Sequence, residues 1–81
     1  MNLSPLRDAL VASECNKLDQ VTTLIEACLD AGISNGPYIV KKIADLGYNR
    51  RFVGLQLGAN TGSNPDRHRW YRTSEGEYRL H

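Results

Sequence analysis

Apolar positions recur first at helical spacing and then, near the C-terminus, in alternation. From Leu18, the residues Val21, Leu24, Ile25, Cys28 and Leu29 follow the i, i+3, i+4, i+7 pattern of an amphipathic helix, and Gly32 stands where a glycine would end it. Upstream, Ser4-Pro5 reads as an N-cap followed by proline at the first helical position. It predicts a short helix presenting Leu6, Ala9 and Leu10. Asn16 with Asp19 is an approximate capping box, with Asp in place of Glu, and marks either a new helix or a point inside one continuous helix. After a short connection over residues 33–36, Pro37 restarts helical geometry with Ile39, Val40, Ile43 and Leu46 on one face, and Gly47 ends it. Asn49 then caps a helix running toward Asn60, with Phe52 and Leu55 expected in the core. Gly54 and Gly58 each cost such a helix about 1 kcal/mol relative to alanine. Four apart, they share a face, and they suit close approach either by a neighbouring helix, the preferred reading, or by a ligand.

Residues 61–66 form a polar loop, and residues 67–81 read as a β-hairpin. With Ser74, Glu75 and Gly76 as its loop, Gly76 takes the left-handed position of a type I turn with a G1 bulge. Trp70 then faces Leu80, and Arg72 faces Tyr78. The alternation puts Trp70, Tyr78 and Leu80 on a buried side and Tyr71, Thr73, Glu77 and Arg79 on a wet one.

With 81 residues the chain is one domain that buries roughly 60 to 65 per cent of its unfolded surface. Its 41% hydrophobic and 23% charged residues fall in the ordinary globular range, which argues against disorder. No apolar run reaches membrane-spanning length, and no basic region followed by an apolar core opens the chain, so the expectation is a cytoplasmic protein with Cys15 and Cys28 reduced. The net charge of +1 conceals an asymmetry. Up to Val40, two basic residues face five acidic ones, for a net −3; beyond it, eight basic residues face four acidic ones, for a net +4. A basic half of this kind concentrates polyanions.

The stretch Ile43-Ala44-Asp45-Leu46-Gly47-Tyr48-Asn49-Arg50-Arg51-Phe52-Val53 resembles the centre of a helix-turn-helix, and with the hairpin behind it the chain resembles a winged helix-turn-helix domain. The resemblance covers about residues 18–81. It implies a mainly α fold of three to four helices with a C-terminal β-hairpin as the wing, divided into a helical extension over residues 1–16 and the winged domain over residues 17–81. In that family the second helix of the motif is the one placed in the DNA major groove, and the wing touches backbone or minor groove. The residues so nominated for nucleic-acid contact are Asn49, Arg50, Arg51 and Gln56 on the helix and Arg72, Thr73, Ser74 and Arg79 on the wing, with Arg69 beside it.

The chemistry agrees with the resemblance independently. Guanidinium groups pair bidentately with guanine edges or grip phosphates, and a helix N-terminus attracts phosphate through its free N–H groups. Against this stands ordinary solvated surface, with Arg72 lying over the Tyr78 ring. Tyr48 and Tyr71 can stack on bases if exposed, although packing in the turn and over the hairpin is the preferred reading; Trp70 is read as core. Cys15, Cys28, His68 and His81 lack the paired spacing of a zinc site, no nucleophile stands with a base, and Gly54-Leu55-Gln56-Leu57-Gly58 lacks the lysine and strand of a phosphate loop. No catalytic residue, metal or cofactor is expected. Two functions remain: a DNA-binding regulator or part of a larger complex, and a protein-interaction module in which Leu3, Leu6 and Leu10 form an apolar seam for a partner or a second copy. Whether the basic residues share one face discriminates them.

Overall fold

The computed structural model describes residues 2–81. Its helices are α1 (Ser4–Ala12), α2 (Lys17–Asp30), α3 (Gly36–Ala44) and α4 (Arg50–Ala59), followed by an antiparallel hairpin of β1 (Trp70–Arg72) and β2 (Tyr78–Leu80). The chain is therefore mainly helical with a C-terminal two-stranded hairpin.

Three asparagines start three of the helices. Asn16, Asn35 and Asn49 each have extended backbone, and their side-chain oxygens accept the N–H three residues on, from Asp19 (2.8 Å), Tyr38 (2.9 Å) and Phe52 (3.0 Å). Each cap satisfies an N–H that the helix itself leaves unpaired, worth about 1 kcal/mol. At α1 the expected cap is displaced. Ser4 is the first helical residue and makes no side-chain cap; instead, its N–H donates to Asn2 Oδ1 at 3.0 Å. The alternative of one continuous helix across Asn16 is excluded by Glu14, whose φ of +59° turns the chain between α1 and α2. Here Cys15 N–H donates to Leu10 O (3.2 Å) and Glu14 N–H to Val11 O (3.0 Å), a Schellman closure. The same closure ends α2 with Gly32 at φ +85°, where Ile33 N–H reaches Cys28 O and Gly32 N–H reaches Leu29 O.

The core is a single cluster of Leu3, Val21, Leu24, Ile25, Cys28, Leu29, Ile39, Ile43, Tyr48, Val53, Leu57 and Trp70. Leu3 is buried in it, Leu6 and Leu10 pack against it, and Arg7 Nη1 donates to Leu46 O at 2.7 Å. The expected N-terminal apolar seam is thus used within the chain in part, with Leu6 and Leu10 half-buried. Two further expectations are corrected. Leu18 lies outside the buried stripe of α2, and Leu55 is exposed on α4. Only Val53 and Leu57 of α4 are buried, four residues apart on one side, and at 100° per residue a side chain midway between them points outward.

The hairpin has the expected register, Trp70 opposite Leu80, Tyr71 opposite Arg79 and Arg72 opposite Tyr78. Thr73 N–H donates to Glu77 O, Gly76 N–H donates to Thr73 O, and Gly76 has φ +84°, as the bulged turn requires. Contacts at Trp70, Glu77 and Tyr78 fix the hairpin to the rest of the chain. Trp70 Nε1–H is shared between Leu57 O and Thr61 Oγ1, each at 2.9 Å. Tyr78 N–H donates to Ser34 O at 2.9 Å, and Asn35 forms a β-bridge with Glu77. Finally, the Tyr78 ring lies so close to Gly36 that an added Cβ would stand 2.7 Å from Cε2, so this crossing needs glycine. Among the described residues, no helix is long and apolar enough to cross a membrane.

Candidate nucleic-acid interface

The turn that presents α4 is locked from beneath. Tyr48 is buried, and its hydroxyl donates to Gln20 Oε1 at 2.6 Å, while Gln20 Nε2 donates to Cys15 O at 2.6 Å. Burial pushes the Tyr48 phenol above its ordinary range, and the nearby Arg7 charge pulls weakly the other way. Tyr48 is therefore a packing residue, not a stacking platform. Directly after it, the Asn49 side-chain oxygen is committed to the cap of α4.

Arg50 and Arg51 follow on the first turn of α4. Both are exposed, and among the described residues neither has an ion-pair partner. The outward surface continues with Gly54, Leu55, Gly58 and Ala59, all exposed. The expectation that Gly54 and Gly58 admit a neighbouring helix is overturned, because a Cβ built at either meets nothing within 4 Å. Gln56 lies half-buried on the flank of α4.

The remaining nominated cations are engaged elsewhere. Arg69 Nη1 reaches Glu26 Oε1 on α2 at 2.5 Å, and Arg79 Nη2 reaches Glu77 Oε2 at 2.9 Å. The Arg72 guanidinium lies 5.8 Å from the Tyr78 ring centroid. Thr73 Oγ1 accepts the Glu77 N–H within the turn, and Ser74 is exposed. Tyr71 lies half-buried with its ring 5.1 Å from that of His81. Of the other basic residues in the C-terminal half, Lys41 pairs with Asp45, Lys42 lies over Tyr38, and exposed Arg67 has no ionic partner among the described residues. The nominated arginines thus divide into an unpaired pair at the start of α4 and a second set, Arg69, Arg72 and Arg79, each held by a partner.

One cation at this surface comes from the acidic half. Lys17, on the first turn of α2, holds its Nζ 5.1 Å from the Tyr48 ring centroid and lines a shallow groove with Gly47, Tyr48, Asn49 and Phe52. No local feature of the sequence marks this placement, since the contact joins the starts of two helices that are not consecutive. Among the described residues, no group of three or more His, Cys, Asp or Glu could hold a metal ion. The chain matches no family model, no curated protein and no solved structure.

Proposed function

We propose that this chain is a small nucleic-acid-binding module of the winged helix-turn-helix kind, with double-stranded DNA as its partner and α4 as the helix that docks. The observation that carries this reading is the pair Arg50 and Arg51, exposed and without ionic partners among the described residues, on the first turn of a helix whose approach is locked by Tyr48 and Asn49. Two rigid guanidinium forks beside the free N–H groups of a helix N-terminus suit both guanine edges and phosphates. The backbone that presents them is already fixed, so the entropy lost on docking is that of the two free side chains.

The surroundings support the same face. Lys17 extends the cationic edge beside Asn49. On the wing, Arg79 is held only by an exposed ion pair, worth about 0–1 kcal/mol, and a phosphate can replace that partner at little cost. The bonds from Trp70 to Leu57 and from Tyr78 to Ser34 hold the hairpin in a set position relative to α4. Of the competing seam, Leu3 is buried and Leu6 and Leu10 are half-buried against the core, which leaves the interaction-module reading a smaller apolar surface.

Fluorescence anisotropy of a labelled random duplex, titrated at several salt concentrations, tests the proposal. The logarithm of affinity should fall with the logarithm of salt at a slope of roughly −3 or steeper, since each engaged phosphate contributes about −0.9. Replacing Arg50 and Arg51 by alanine should weaken binding and make the slope shallower by about 2. Absence of binding at low salt and micromolar protein would overturn the reading.

A further inference from the structure

Leu55 is the most exposed large apolar side chain among the described residues, at 62%. It stands one helical turn beyond Arg51 on the outward side of α4, and the exposed residues around it, Gly54, Gly58 and Ala59, rise no higher than a methyl group. We infer that Leu55 is a specificity-determining residue that packs against the 5-methyl group of thymine in duplex DNA held at the start of α4, with Arg51 on the same face. The inference rests on the DNA-binding reading of α4 given above.

The geometry follows from the helix. Leu55 lies about 6 Å along the axis from Arg51, close to two base-pair steps of about 3.4 Å. A duplex gripped by Arg51 along this face therefore meets Leu55 next, because no other side chain of comparable reach stands between, while Arg50, about 140° away around the axis, reaches it from the flank at the helix start. The chemistry follows from the groove. Thymine presents an isolated apolar methyl among the polar groups of the major-groove edge, and apolar side chains contact it there. Uracil has no such group, so the same contact favours DNA over RNA. The alternative occupant, an apolar protein surface, suits the site less well. A stable protein interface buries upward of about 1,000 Å² around a cluster of anchoring side chains. Leu55 is a lone leucine with the unpaired Arg51 one turn away, and the other exposed large hydrophobics, Val11, Leu18 and Tyr38, belong to other segments.

The test uses the full chain and two labelled pools of one short random-sequence duplex, one made with thymine and the other with deoxyuridine throughout, so that the pools differ only in methyl groups. Wild-type protein should bind the thymine pool about two- to fourfold more tightly, since burial of one methyl is worth at most about fourfold. Leu55→Ala should bring the ratio to one and leave the salt slope unchanged, because no phosphate contact is altered. Equal binding of the two pools by wild type, with a steep salt slope, would overturn the role of Leu55 and leave the DNA-binding reading standing. A preference that survives Leu55→Ala would likewise overturn it. No binding of either pool would overturn both, and would turn the exposed leucine toward a protein partner. The wild-type comparison involves no substitution, so equal binding of the two pools overturns the role of Leu55 however the variant folds.

Discussion

Tyr48 and Gln20, 28 residues apart, share a buried 2.6 Å hydrogen bond that ties the turn before α4 to the start of α2. Gln20 also donates to Cys15 O, so one side chain joins the α1–α2 loop to the α3–α4 turn. The surface carrying Arg50 and Arg51 thus rests on a polar contact inside an otherwise apolar cluster.

Tyr48→Phe should lower stability by about 1–2 kcal/mol, since it leaves Gln20 Oε1 buried without its donor. Urea denaturation followed by circular dichroism measures this. The same variant carries a pH signature. Burial raises the folded Tyr48 pKa, so the unfolded chain loses this proton first as pH rises through the ordinary value near 10. The stability contributed by the neutral phenol is therefore fully present below that value and is lost as pH climbs toward the folded pKa. Wild type should lose more stability than Tyr48→Phe between neutral pH and the region above pH 10, and parallel losses in the two proteins would contradict the assignment.

Glu14→Gly should stabilise the chain by about 0.5–1 kcal/mol. Glu14 is exposed and closes α1 at φ +59°, a conformation that costs an L residue about 1–2 kcal/mol, and part of this relief is offset by the greater freedom of glycine in the unfolded chain. A lower urea midpoint in the variant would mean that the Glu14 side chain makes a compensating interaction.

Gly54→Ala and Gly58→Ala should each raise stability by up to about 1 kcal/mol, because the new methyl group meets no neighbour and alanine is the better helix former. If a duplex lies along this face, the same substitutions weaken its binding by filling the space beside Leu55. Raised unfolding midpoints together with lowered duplex affinity are the expected pair, and lowered midpoints would contradict the open surface seen around both residues.

Trp70→Phe should cost about 2–3 kcal/mol, more than any of the surface changes. The residue is fully buried, and both the indole volume and the Nε1–H shared by Leu57 O and Thr61 Oγ1 are lost. Because Trp70 is the single tryptophan, its emission in wild type should shift to the red in one step coincident with the loss of helical circular dichroism. Separate transitions would show the hairpin unfolding apart from the helices.

Features that depend on a few neighbouring residues were legible along the chain. Asn16 and Asn49 could be recognised as caps because an Asn oxygen reaches the N–H only three residues on, and Gly32 and Gly76 because tight closures need a left-handed backbone. The hairpin register followed from alternation around one turn, and the stripe from Val21 to Leu29 from the period of the helix. Tertiary structure alone decided which faces meet. It buried Leu3 and exposed Leu55, drew Arg69 to Glu26, and set Lys17 over Tyr48 beside the start of α4. Each of these joins segments far apart along the chain, or depends on how α4 is rotated about its own axis. An apolar residue adjoining a helical stripe carries no local mark of which side it takes. That choice is made by the shape of the whole packed cluster, and here it turned Leu55, with Arg51, outward.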